Sequence, residues 1–207
     1  MIKVILISGK QGSGKTTISN ALKARAKQFK FDFVGSMKFA DVLYELHDYL
    51  LNKMATYTEK PRIKKDGPLL QWLGTEWGRT KYGPNVWVNI LKNKVKFFED
   101  ESASLKRLII IDDCRFENEF DAFPEALRVR LTCSEAERKA RADAWRDNTE
   151  HPSETGLDVY AAAGKFDLVL NTAGAGRDVE HCVSLIFSEL NRGSWIESRE
   201  PTLHNSN

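Results

Sequence analysis

Five short segments rich in aliphatic and β-branched residues, Ile2–Ile7, Phe31–Gly35, Leu108–Asp112, Leu127–Thr132 and Phe166–Leu170, interrupt a chain otherwise patterned for helices. Several are continuous apolar runs rather than alternations, the pattern of parallel strands covered on both faces. Helical spacing of apolar residues runs over about 15–29, 38–54, 67–79, 84–99, 134–147, 155–163 and 178–191. Strands alternating with helices predict right-handed βαβ crossovers and a three-layer α/β domain over residues 1–191. One interval breaks the rhythm. About 70 residues separate the second and third strands, where a crossover needs about a dozen. The excess predicts a helical insert over about 37–100, beside the C-terminal edge of the sheet where open α/β sheets bind ligands. Residues 192–207 read as a polar C-terminal tail.

The junction after the first strand carries chemistry. "VILISGKQGSGKTT" is an apolar strand, then G-x-x-x-x-G-K-T from Gly9 to Thr16, then a helical pattern, which is the context a phosphate-binding loop requires. Gly12 and Gly14 let the backbone turn its N–H groups inward, Ser13 sits between them, and the helix adds the positive end of its dipole. Lys15 is expected to bridge the β- and γ-phosphates of ATP and the Thr16 hydroxyl to ligate Mg²⁺. A dinucleotide fingerprint is excluded because Thr17 occupies its third glycine position.

Other strand ends add candidates. "LIIIDDCRFENE" closes the third strand with Asp112 and Asp113. Alternation puts Asp113 and Arg115 on one side and Asp112 on the other, and a helix after Arg115 brings Glu119 to the first side. Asp113 is the expected metal-side carboxylate and Arg115 a phosphate cation; an Arg115–Glu119 ion pair is the structural alternative. "SEAERKARADAWRD" after the fourth strand places Arg138 and Arg141 on one helical face, with Arg146 beyond. They are candidates for neutralising a transferring phosphoryl group, while Glu135–Lys139 and Glu137–Arg141 pairs favour a plain solvated helix. "LNTAGAG" after the fifth strand offers Asn171 beside an adenine ring, or a simple turn. His151 is better read as a loop histidine than as a general base, since transfer between phosphates needs none.

Composition narrows the partners. Lys plus Arg exceeds Asp plus Glu by 31 − 29 = 2, so no overall field draws nucleic acid or an anionic membrane, and anion binding must be local. Three widely spaced cysteines, Cys114, Cys133 and Cys182, suit neither a disulfide framework nor a zinc site and fit a reducing cytoplasm. The pattern leaves open whether the protein is a homodimer.

The order of these features resembles the nucleoside monophosphate kinases of the P-loop superfamily. The insert segment "LLQWLGTEWGRTKYGPNVWV", with "IIIDDCRFENEFDAF" and "EHPSETGLD", is similar over about residues 1–190 to the bacteriophage type of deoxynucleoside monophosphate kinase. That resemblance implies a P-loop kinase fold with a five-stranded parallel sheet in the order 2-3-1-4-5, a lid over about 134–155 carrying Arg138 and Arg141, and a host-cytoplasmic location. It also implies transfer of the ATP γ-phosphate to a dNMP, with Thr75, Arg79, Trp87, Asp113, Arg115 and Glu119 in the monophosphate pocket. Helical spacing independently places Trp72, Thr75, Glu76 and Arg79 in one stripe, so Trp72 or Trp87 is the expected stacking platform and Trp77 a packing residue. Lys38 or Asp41 is in position to reach the acceptor. The alternatives are another small-molecule kinase, such as a dephospho-coenzyme A kinase, and a P-loop ATPase whose tryptophans stack single-stranded bases.

Overall fold

The structure, a computed structural model, describes residues 2–100, 105–141, 145, 151–174 and 179–192. Strands β1 (Ile2–Ser8), β2 (Phe33–Met37), β3 (Arg107–Ile111), β4 (Leu127–Thr132) and β5 (Leu168–Asn171) are all parallel and lie in the order β2-β3-β1-β4-β5. Burial on both faces explains the unbroken apolar run of β1. Ile5 and Ile7 pack with Ile18 and Leu22 of α1 (Lys15–Arg25), while Val4 and Leu6 face the opposite cluster.

Between β2 and β3 lie α2 (Asp41–Thr58), α3 (Gly67–Trp72), a π-helical segment (Leu73–Arg79), α4 (Thr80–Tyr82) and α5 (Val86–Asp100). The stretch expected as one helix over 67–79 is thus two kinds of helix in series. Its start is set by Asp66, whose carboxylate accepts the Leu69 N–H at 2.9 Å. The last helix of the expected insert belongs to the sheet's own cover, because Val88, Leu91 and Val95 of α5 pack in the cluster of Val4 and Leu6.

After β3 come α6 (Glu117–Phe120), α7 (Glu135–Arg141), α8 (Pro152–Thr155), α9 (Asp158–Ala162) and α10 (Val179–Arg192). Val183, Ile186, Phe187 and Leu190 of α10 complete the core on the α1 side. β2 and β5 start two residues later than their apolar patterns. Before β2, a 3₁₀ turn over Ala26–Phe29 ends at Lys30 in the left-handed region (φ 63°), and the Phe31 N–H closes it on Ala26. Before β5, Asp167 is engaged with Arg128, its carboxylate accepting that residue's N–H at 2.7 Å. Arg146 and the expected tail beyond 192 lie outside the described residues. No helix among the described residues is long and apolar enough to cross a membrane. With β3 on one side of β1 and β4 on the other, the crossovers diverge and open a crevice beyond the C-terminal end of β1.

Candidate active site

The crevice is floored by the loop from Gly9 to Gly14. Gly12 (φ 76°) and Gly14 (φ 90°) hold left-handed conformations that side chains resist, and a Cβ on Gly12 would stand 2.6 Å from the Arg138 carbonyl oxygen. Lys15 opens α1 and folds over the loop, its Nζ donating to the carbonyls of Gly9 (2.5 Å) and Lys10 (2.9 Å). Burial pushes the Lys15 ammonium down to about 8; the Arg115 charge lowers it further, and Glu154 and Asp112 oppose them. Ser13 Oγ is buried without a hydrogen-bond partner, and Thr16 and Thr17 lie exposed on the first turn of α1. Thr17, Asn171 and Thr172 line a small cleft with Gly14 and Ile18, on the flank where a nucleoside of a loop-bound nucleotide would lie.

The neighbouring carboxylates after β3 do different things. Asp113 accepts the backbone N–H groups of Phe39 (3.0 Å) and Ala40 (3.1 Å), so both its oxygens hold the chain entering α2. Burial still raises it to about 6, against those two bonds. Asp112 is buried and its Oδ1 makes an ion pair with Lys38 Nζ at 3.1 Å, without the alignment of a hydrogen bond. Burial works against the Lys38 charge, yet Asp112, with Asp113 and Asp41 behind it, outweighs it and raises that ammonium. Asp112 is among the charges that hold the Lys15 ammonium up, while both oxygens of Asp113 are engaged with the backbone entering α2.

Arg115 and Glu119 do not form the ion pair that their spacing suggests. Glu119 Oε2 accepts the backbone N–H groups of Arg115 (2.8 Å) and Phe116 (3.2 Å), capping α6 from within. Burial lifts its carboxyl to about 7 despite those bonds. The Arg115 guanidinium turns instead to Glu154 of α8, with Nη1 donating to Oε1 at 2.9 Å and to the Ser153 carbonyl at 3.3 Å. The other Glu154 oxygen accepts the Gln11 N–H of the phosphate loop at 2.7 Å. Asp158 of α9 makes a parallel bridge, pairing with Lys10 at 3.0 Å and with the buried Arg130 at 2.6 Å.

The two α7 arginines diverge. Arg138 is buried against the loop, with Nη1 donating to the Gln11 carbonyl (3.0 Å), Nε unpartnered, and the guanidinium 5.4 Å from the centre of the Trp145 ring. Arg141 donates to the Thr172 carbonyl (3.0 Å) and to Cys133 Sγ (3.2 Å), so it ties α7 to the end of β5 rather than to the phosphate loop. Both expected acid–base pairs are present, Glu135–Lys139 at 2.8 Å and Glu137–Arg141 at 3.9 Å. His151 caps α8, its Nδ1 accepting the Ser153 N–H at 3.2 Å.

On the insert side, Arg79 lies over the Phe116 ring at 5.1 Å and its charge reaches Glu119. Trp87, expected in the monophosphate pocket, is 5% exposed; its indole N–H donates to the Gly74 carbonyl at 3.0 Å, and its ring fills the space beside Gly78. It is a packing residue and offers no face to a base. Trp77, expected to pack, is half-buried and edge-on to Tyr82 with centroids 5.2 Å apart. Trp72 is 50% exposed, and Thr75 is exposed as well. The i→i+5 bonding of the Leu73–Arg79 segment puts more residues in each turn and carries Thr75, Glu76 and Arg79 away from the 3.6-residue stripe expected with Trp72.

A family model described as an AAA domain matches residues 5–155, well over half of the chain. The chain belongs to this AAA-domain family. No curated protein matches it. Among solved structures, the AAA-domain chain is similar to TT1252 from Thermus thermophilus, at 15% identity over 91% of this chain and 97% of that one, with a TM-score of 0.56. It is also similar to a gluconokinase from Sinorhizobium meliloti 1021, at 13% identity over 95% and 98% of the two chains, with a TM-score of 0.50. These are likenesses of fold, and the fold is that of P-loop kinases.

Several residues of the AAA-domain site escape a reading by spacing. Glu154 meets partners 143 and 39 positions away, and no local pattern marks it. Thr172, which donates to the Ser13 carbonyl at 2.9 Å, is hidden in a turn-like run. Phe116 looks like any core aromatic until Arg79 is seen over it. Arg130 did carry a signal, because an arginine inside the buried strand "LRVRLT" needs partners, here Ser8 at 3.0 Å and Asp158.

Proposed function

We propose that the protein is a deoxynucleoside monophosphate kinase, transferring the γ-phosphoryl group of ATP to a dNMP to give dNDP and ADP. The observation that carries this reading is a second cationic and aromatic subsite next to the phosphate loop. Arg115 stands close enough for its charge to depress Lys15, and Arg79, Phe116 and Glu119 continue from it toward the insert. A dianionic phosphate on a flat base needs those groups: guanidinium cations at one end and aromatic surface at the other.

The donor half fits ATP with magnesium on the chemistry of its donor set. The buried Ser13 hydroxyl and Arg138 Nε are unpartnered beside the loop, and Asp112 is held by an ion pair alone. Thr16 and Asp112 are the residues for the metal, with Asp112 replacing Asp113 in that role. Bound magnesium supplies charge neutralisation on the phosphates. Among the described residues no group of three or more His, Cys, Asp or Glu side chains is arranged to hold a metal, and Thr16 and Asp112 would hold it together with bound nucleotide.

In the transfer, an acceptor phosphate oxygen attacks the γ-phosphorus in line; the bond to the β,γ-bridging oxygen breaks, and ADP leaves with the electron pair. Lys15 and Arg138 neutralise the charge moving between the two ends, Arg115 and Arg79 hold the acceptor phosphate, and Trp72 is the remaining platform for its base. Asn171 and Thr17 lie on the donor base side, with Arg141 holding that loop. No proton has to be moved by a side chain, in keeping with the capping role of His151. The test is ADP release from ATP and Mg²⁺ with each dNMP and NMP in turn, alongside a coenzyme A precursor and single-stranded DNA. Release with dNMPs is expected, abolished in Lys15→Ala at unchanged melting temperature. DNA-stimulated ATP hydrolysis with no acceptor would replace this reading with a nucleic-acid-associated ATPase.

A further inference from the structure

Glu154 is the least expected charge in the site. Its carboxylate is 4% exposed and lies at the edge of a loop built for polyphosphate, where a second anion opposes the ligand. A buried carboxylate is tolerated only when its oxygens are paired, and each Glu154 oxygen has one partner: Oε2 the Gln11 N–H at 2.7 Å, Oε1 the Arg115 guanidinium at 2.9 Å. One side chain on α8 therefore spans the donor loop and the arginine of the acceptor subsite. Both side-chain hydrogen bonds of Arg115 to described residues are made by Nη1, and the side chain is one-third exposed (33%), so the guanidinium is anchored without being enclosed. A guanidinium fixed at one edge presents the other as a fork matched to phosphate.

We propose that Glu154 is a positioning residue that aims Arg115 at the phosphoryl group passing between donor and acceptor, at the cost of weaker ground-state binding of ATP. The proposal rests on the kinase reading for its rate effect, though its binding effect does not. Asp158, four residues further on, steadies the same loop through Lys10, but at 41% exposure it is far more open to solvent than Glu154 and its second bond goes to Arg130, so the aiming of Arg115 falls on Glu154.

Replacement of Glu154 by glutamine keeps the shape and one acceptor oxygen while removing the charge. Glu154→Gln is expected to lower kcat by on the order of 10²-fold and to raise the acceptor KM, because a misplaced catalytic cation costs about that much. ATP affinity, measured by titration of a fluorescent ATP analogue without acceptor, is expected to be tighter than in wild type, and an unchanged affinity overturns the ground-state cost. A merely structural role predicts the opposite, with ATP binding weakened together with the melting temperature. Arg115→Ala is expected to slow wild type strongly and to slow Glu154→Gln little further, since both changes remove one interaction. Should the glutamine variant not fold, Glu154→Asp, which keeps the charge but shortens its reach to Arg115, is expected to lower kcat and raise the acceptor KM with ATP affinity unchanged. Wild-type turnover in Glu154→Gln, or ATP binding weakened in step with turnover, overturns the proposal. A wild-type protein that phosphorylates no acceptor removes the kinase reading instead, and the ATP titration still decides whether Glu154 opposes the bound polyphosphate.

Discussion

Asp112 and Asp113 are adjacent, chemically identical, and assigned to different tasks by what approaches them. Both oxygens of Asp113 are taken by N–H groups from a segment 74 and 73 residues earlier, so it secures the entry to α2. Asp112 has only an ion pair, within reach of Lys15. Asp113→Asn is therefore expected to destabilise the fold by about 1–3 kcal/mol, because the amide end meets an N–H it cannot accept from. Asp112→Asn is expected to leave the melting temperature nearly unchanged and to slow transfer by on the order of 10²-fold, the cost of losing one preorganised electrostatic partner. Thermal melts and steady-state rates on the two variants separate these outcomes, and the reverse pattern would return the metal to Asp113. Alternation along a strand cannot rank the pair, because β3 ends at Ile111 and both carboxylates lie beyond it.

Whole elements were easier to read than their edges. Five strands and their cover show in the apolar runs because burial on both faces leaves little choice of residue, and the phosphate loop shows because Gly12, Gly14, Lys15 and Thr16 are dictated by local backbone and ligand chemistry. Legibility ends where a helix departs from 3.6 residues per turn or a side chain is satisfied from far away. The Leu73–Arg79 segment does the first, breaking the stripe expected to join Trp72 to Arg79, and Glu154 does the second. The tryptophans supply the test at this scale. Trp87→Ala, which empties the space beside Gly78 and frees the Gly74 carbonyl, is expected to cost about 3–5 kcal/mol. Trp72→Ala is expected to change stability by less than about 0.5 kcal/mol, as surface changes do, and to raise the acceptor KM about 2–10-fold through lost stacking. Denaturant unfolding and acceptor titration measure the two, and a Trp72 variant with unchanged KM would remove it from the acceptor subsite.

Across the whole molecule, the strand ends bring Lys15, Asp112, Asp113, Arg115 and Glu119 together, and some of the charges there are strained by burial. Glu119, raised to about 7, and Asp113, raised to about 6, hold protons more tightly folded than unfolded. Between their unfolded values near 4 and these folded values the native state binds more protons, so stability falls as pH rises through that window and recovers on acidification. The melting temperature is expected to rise from pH 8 to pH 6, and Glu119→Gln to raise it at pH 8 while changing it little at pH 5; a flat profile in the wild type would dismiss both carboxylates as determinants. The strand order also has a consequence for how the molecule is made. β1 pairs with β3 and β4 and not with β2, its neighbour in sequence, so its partners begin at Arg107. At about 5–20 residues per second the ribosome takes roughly 5–20 s to deliver that partner. For that interval the most apolar stretch of the chain emerges with no sheet to join, and the loop behind it has no crevice to floor. Thr172, which fastens Ser13, follows β5 and comes later still, so a nascent chain leaves that loop untied until all five strands have emerged.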